Sequence, residues 1–183
     1  MKNQAETIEC VVVSESGHAE VSRRRTPEPT RAANDNFRCL FEHACAVAAA
    51  CDCCWFAWIG LVDIAGDRIV PVAAAGYEDH YLEDLRVDIS DTPYGRGAIG
   101  SAVRQECTWV ISDIENDARV APWRDAALRR GYRSAAAFPV RSGKHVVAVL
   151  AVYSATIEAF DRAELERFTR LTEELGRLLL LAS

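Results

Sequence analysis

The sequence predicts an α+β domain, a central antiparallel sheet flanked by helices, with long first and last helices packed together. Three observations carry that expectation. Apolar residues recur at steps of three and four over Phe37–Cys51 and again over Leu165–Ala182, the spacing of one helical face. Between them lie apolar runs of strand length bounded by turn residues. Two pairs of these runs are joined by short hairpin connections, Ala65-Gly66-Asp67 and Arg141-Ser142-Gly143-Lys144.

Each element has a local reason. Asn34 or Asp35 can cap the first helix, whose apolar face is Phe37, Leu40, Phe41, Ala44, Val47, Ala48 and Cys51. The run 55–62 is apolar on both sides, which suits a strand covered on both faces. Arg68 to Ala75 is its hairpin partner, and Gly76 ends it. Glu78 to Leu85 offers a short helix. Pro93, Gly95 and Gly97 lead irregularly into a helix from Ala98 to Gln105, followed by a strand over Cys107–Ile111. Pro122 and Gly131 bracket a short helix over Trp123–Arg130. Strands 134–140 and 145–153 follow. In the last helix Asp161 is the N-cap, and Glu164, three residues on, completes a capping box.

With 183 residues the chain suits one domain with a real core. Residues 1–33, with a short apolar run at Ile8–Val13 and then Arg23-Arg24-Arg25 beside Pro27 and Pro29, read as a mobile arm; residues 34–183 read as the domain. A net charge of −6 argues against a nucleic-acid partner, which needs a basic surface. No apolar run reaches the ~18 residues of a membrane span, and the N-terminus lacks a secretory pattern, so a cytoplasmic location is expected.

The run Tyr94-Gly95-Arg96-Gly97-Ala98-Ile99-Gly100-Ser101-Ala102-Val103-Arg104, then Val110-Ile111-Ser112-Asp113-Ile114, resembles the GAF pattern of a glycine-marked helix, a strand and a terminal aspartate. Asp117-Ala118-Arg119-Val120-Ala121-Pro122-Trp123-Arg124 with Gly131-Tyr132-Arg133-Ser134 is similar to GAF domains of bacterial sensor histidine kinases and diguanylate cyclases. Phe138-Pro139-Val140, the Ser142-Gly143 turn, Val149 to Tyr153 and Phe160-Asp161 complete a resemblance over residues 36–182. It implies a PAS-related sensory fold in a signalling protein, with a ligand pocket between one sheet face and the helices after the second and third strands. In this chain that pocket would draw on Trp58, Tyr94, Trp109, Asp113, Trp123, Tyr132, Phe138 and Tyr153. The aromatics would offer stacking faces, and Asp113 would accept hydrogen bonds. The plainer reading is that the aromatics fill the core and Asp113 caps its own loop.

The resemblance names no ligand or cofactor. Bilin attachment needs a cysteine between Asp113 and Phe138, and there is none; the asparagine-lysine-phenylalanine-aspartate motif of cyclic-nucleotide GAF domains is absent too. A free-methionine sulfoxide reductase needs two cooperating thiols at the pocket, and only Cys107 lies in that half of the chain. Cys45, Cys51, Cys53 and Cys54 crowd near the end of the first helix. With no second ligand pair at a distance, and with Cys54 pointing away from Cys51 and Cys53, packed thiols are expected and no metal ligand set is assigned. A lone histidine such as His80 carries no haem assignment.

The expected function is therefore a non-enzymatic sensor that binds a small molecule and acts through its terminal helices on a kinase or cyclase output partner. Phe168, Leu171, Leu175 and Leu178 are expected to pair with a second copy. The alternatives are a dimerisation module without ligand and an enzyme acting through Cys107.

Overall fold

The computed structural model describes residues 31–83 and 85–182. The short run at Ile8–Val13, the Arg23–Arg25 cluster and most of the expected arm lie outside these residues. Helix α1 spans Arg31–Ala49. Strands β1 (Phe56–Asp63) and β2 (Arg68–Gly76) form a hairpin, then come α2 (Ala98–Gln105), β3 (Trp109–Ile111), a 3-10 turn at Ala118–Val120 and α3 (Arg124–Arg129). A second hairpin, β4 (Ser134–Ser142) and β5 (His145–Ser154), leads into α4 (Arg162–Leu181). The five strands form one antiparallel sheet in the order β2-β1-β5-β4-β3. This is the α+β architecture expected.

Period-two alternation divides the core in two. Ala57 and Ile59 of β1, Ala136, Phe138 and Val140 of β4, and Ala148, Leu150 and Val152 of β5 face α1 and α4. Their sequence neighbours Phe56, Trp58, Ala135, Ala137, Val149, Ala151 and Tyr153 face the side covered by α2, α3 and the connecting segments. Strand β1 is buried from Phe56 through Gly60, as its two-sided apolar run requires.

Three local expectations change. Helix α1 already includes Arg31, Ala32 and Ala33, so Asn34 and Asp35 lie within it; these three residues are good helix formers and extend the helix past the residues expected to cap it. Residues 79–83 make turns instead of a helix, with Asp79 and His80 at positive φ. The Glu78 carboxylate there accepts from the backbone N–H groups of His80 and Leu82. Asp161 caps α4 as expected, its Oδ1 accepting from the Glu164 N–H at 2.9 Å. The Glu164 carboxylate, however, turns toward Cys51 and Cys53 and leaves the capping box half made.

Helix α4 packs closely on β4. A Cβ on Gly176 would stand 2.0 Å from the Arg141 carbonyl oxygen, so only glycine lets the helix approach this near. The same packing consumes the stripe expected to pair with a second copy. Phe168 and Leu175 are 1% and 4% exposed, and Phe168 packs on Phe138 with ring centroids 5.4 Å apart. Leu171 is partly buried against the same core, and Leu178 alone of the four is exposed. The reason is simple: a helix laid on a sheet needs the same three-four stripe as a coiled coil does.

Candidate functional site

On the face opposite α1 and α4, the segment 85–100, Tyr81, the 3-10 turn and α3 arch over the sheet and enclose an apolar cavity. Its floor is the Ala135 and Ala151 positions of neighbouring strands, and its walls include Val87, Ala98, Ile111, Ile114 and Ala127. Short side chains on β4, β5, α2 and α3 are what leave the space. About 40 Å³ is open to the centre of a water-sized sphere, room for on the order of three waters. A larger occupant requires the overlying segments to move.

The roof is held by a latch. The Trp123 indole Nε1 donates to the Arg86 carbonyl at 2.8 Å, and its ring lies flat enough on the chain that a Cβ on Gly97 would meet it at 2.6 Å. Tyr94 meets Trp123 edge-on at 6.1 Å, and the Arg86 guanidinium stands over the Tyr94 ring at 4.6 Å. Arg86 also pairs with Asp88, whose carboxylate accepts from the Thr92 hydroxyl at 2.6 Å. These two partners hold the Asp88 carboxyl below the usual carboxylate range. Arg104 reaches from α2 to the carbonyls of Ile89, Ser90 and Gly95 and pins the loop before the helix.

One end of the cavity is closed by an aromatic cluster. Tyr132 stacks on Phe56 at 5.7 Å and approaches Tyr153 at 4.9 Å; Tyr81 meets both tyrosines edge-on at 5.3 and 5.5 Å. The Tyr132 hydroxyl donates to the Tyr77 carbonyl. Burial pushes the phenols of Tyr81, Tyr132 and Tyr153 up, so near neutral pH they are hydrogen-bonding groups and not bases. Trp58 is fully buried in the same cluster. Its indole N–H is near enough to the Tyr153 hydroxyl to lower that phenol's pKa, yet among the described residues it meets no partner with hydrogen-bond geometry.

Of the eight residues expected at the pocket, Trp123 and Tyr153 line the cavity. Trp58 and Tyr132 stand behind it, and Tyr94 holds the latch from outside. Trp109 lies half-buried on edge strand β3 beneath the Arg119 guanidinium, 5.3 Å from the ring centroid. Asp113 caps its loop, accepting from the Glu115 N–H at 3.0 Å and the Asn116 side chain at 2.6 Å, and does not face the cavity. Phe138 is on the other side of the sheet: it pairs with Leu150 while its neighbour Ala137 pairs with Ala151, so strand alternation sends it to the helices. Tyr81 was not foreseen, because residues 78–85 read as a short helix. The small residues Ala135 and Ala151 on neighbouring strand runs were the available signal for the cavity floor.

The thiols fall into two groups. Burial pushes Cys45 and Cys54 up to about 12, so both behave as small apolar side chains in the helix-side core, as expected. Cys51 and Cys53 instead meet each other and Glu164. Burial, with Cys51 and Glu164 beside it, raises the Cys53 thiol. Cys107 and Cys39 are exposed, and none of the described cysteines lines the cavity.

A five-stranded antiparallel sheet with flanking helices is the architecture of the GAF fold, and comparison with known proteins agrees. The GAF domain family model matches residues 35–179, and the chain belongs to that family. No curated protein matches it in sequence. Among solved structures, the GAF domain region of a putative membrane protein from Geobacter sulfurreducens PCA is similar, with TM-score 0.64 and 17% identity, over 82% of this chain and 97% of that one. A free methionine-R-sulfoxide reductase from Neisseria meningitidis, solved with its substrate, gives TM-score 0.64 and 21% identity over 83% of each chain. The domain of a putative two-component sensor histidine kinase from Sinorhizobium meliloti 1021 gives 0.58 and 16%, over 78% and 90%. At such identities the likeness concerns the fold. Among the described residues no helix is long and apolar enough to cross a membrane.

Proposed function

We propose that this chain is a sensory GAF module in which a small, mostly apolar molecule occupies the cavity under the Trp123 latch. The observation that carries this reading is the cavity itself: a floor of alanines, neutral phenols at one end, and a roof held by contacts between two loops. A ligand that binds better with the latch displaced would shift the domain between two loop arrangements. The sheet backbone would pass that shift to α1 and α4, and through them to a partner such as a kinase or cyclase. A sulfoxide reductase is disfavoured, because a catalytic thiol must reach the substrate and the cavity lining contains none.

The small free volume and the tight packing of Phe56, Tyr81, Tyr132 and Tyr153 favour a second reading, a ligand-free interaction module. Either way, homodimerisation would rest on Leu178, Leu180 and Leu181 with Val47 of α1, since these remain exposed. The test is a native mass spectrum of the chain purified from its own host, beside the Ala135→Val variant, which fills the cavity floor. A bound mass that disappears in a folded variant is the expected result. An unliganded chain, and a variant that gains stability by filling the void, would favour the interaction module.

A further inference from the structure

The turn that follows α1 and the first turn of α4 bring together two thiols and a carboxylate that are more than a hundred residues apart in the chain. Cys51 Sγ lies 3.4 Å from Cys53 Sγ and 3.0 Å from Glu164 Oε2, and Cys53 Sγ lies 3.4 Å from the same oxygen. We infer that Cys51, Cys53 and Glu164 form a binding site for one thiophilic divalent metal ion of the zinc class, clipping the end of α1 to the start of α4.

Geometry is the first support. Around a tetrahedral zinc ion, two thiolates stand about 3.7 Å apart, and a thiolate and a carboxylate oxygen about 3.5 Å apart. The three observed separations, 3.4, 3.0 and 3.4 Å, are shorter than these by about half an ångström or less, so side-chain adjustment alone would admit the ion. Both thiols now donate to the same Glu164 carboxylate oxygen, across the gap the metal would bridge.

Charge is the second support. Two thiolates and a carboxylate carry three negative charges, and a divalent ion leaves one to balance. The Arg167 guanidinium supplies it, with Nη1 at 3.3 Å from Cys51 Sγ and Nε at 3.7 Å from Glu164 Oε2. A donor resting on a ligand in this way orients it and tunes its charge. Cys54 takes no part, its thiol turning to the Phe56 carbonyl at 3.4 Å. Its absence from the site explains why a run of three nearby cysteines looked unsuited to one tetrahedral ion. The missing ligand comes from α4.

The ligand set selects the metal class. Thiolates exclude calcium and magnesium, which take oxygen ligands, and favour zinc and its analogues. Cys51 is buried, Cys53 partly exposed, and the Glu164 side chain 20% exposed, so a fourth position can be filled from solvent. The assignment is independent of any occupant of the cavity on the opposite sheet face.

The test uses the full-length reduced chain, stripped with a chelator and titrated with Co(II), then with Zn(II) in competition. Binding of one equivalent with thiolate-to-cobalt charge-transfer bands and the intense visible bands of four-coordinate cobalt is expected. Cys53→Ser and Glu164→Gln should each weaken binding by roughly a hundredfold or more, since losing even an outer supporting partner costs about 10–100-fold. A Cys39→Ser, Cys107→Ser double variant should bind as the wild type does. Cys51→Ser is avoided because the residue is buried; Glu164→Gln, checked by circular dichroism in chelator, keeps its fold and isolates the ligand. Zn(II) should raise the Tm of the wild type and not of Glu164→Gln. Cobalt spectra without thiolate bands, or equal affinity in Cys53→Ser, would overturn the assignment. So would recovery of Cys51 and Cys53 as a disulfide whose reduction yields no metal binding.

Discussion

Trp123 lies against the backbone at Gly97 and donates its indole N–H to the Arg86 carbonyl, so one side chain ties α3 to both ends of the segment that roofs the cavity. Trp123→Ala should remove this tie and cost about 1–3 kcal/mol, the scale of a lost hydrogen bond plus a partly exposed aromatic contact. Amide exchange should accelerate in residues 86–97 while the sheet keeps its protection, a pattern that hydrogen-exchange mass spectrometry resolves.

Gly97→Ala attacks the same contact from the other side. Its Cβ would meet the indole ring at 2.6 Å, so the ring must move. We expect Trp emission to shift to the red and the Tm to fall, with the secondary-structure signal intact. An unchanged emission spectrum would mean that Trp123 is not held against this backbone.

Gly176→Ala sets helix propensity against packing. Alanine is favoured over glycine in a helix interior by about 1 kcal/mol. A Cβ 2.0 Å from the Arg141 carbonyl nevertheless forces α4 off the β4-β5 hairpin, and overpacking of this kind costs about 1–3 kcal/mol. Urea unfolding should therefore show net destabilisation.

The stripe of α4 separates stability from association. Leu175→Ala should lower stability by about 2–5 kcal/mol without altering self-association, because the side chain is spent inside the subunit. Leu180→Glu and Leu181→Glu should leave stability nearly unchanged and lower any dimer fraction seen by sedimentation at tens of micromolar. If Leu180→Glu and Leu181→Glu leave a dimer intact, the interface lies elsewhere.

Asp88 gives the latch an acid limit. Its folded pKa is depressed by Arg86 and Thr92, so its contribution is complete above the usual carboxylate range. It is lost as pH falls through that range to the lower folded value. Asp88→Asn should flatten this part of the stability-against-pH curve while leaving the neutral-to-alkaline part parallel to wild type.

What was legible in the sequence follows from which signals are local. Hairpin turns, the Asp161 cap, the Pro122–Gly131 bracket and the strand runs rest on neighbours within a few residues, and the structure shows them, with Gly131 at φ +78°, although the run expected from Cys107 pairs only from Trp109 to Ile111. The site was legible only in part because lining a cavity depends on which way a strand residue points. Phe138 and Tyr153 look equivalent as aromatics, yet β4 and β5 alternation puts them on opposite sides of the sheet. Glu164 read as a capping residue because its partner Asp161 is near in sequence, whereas the thiols that attract it are near only in space.

Strand β5 places Val149, Ala151 and Tyr153 in one chamber and Leu150 and Val152 in the other. The two chambers share a wall and almost no side chains. The stability effects of substitutions on opposite sides that share no neighbours should therefore be close to additive. Such a partition lets the residues of one chamber be replaced while the helices docked in the other keep their packing.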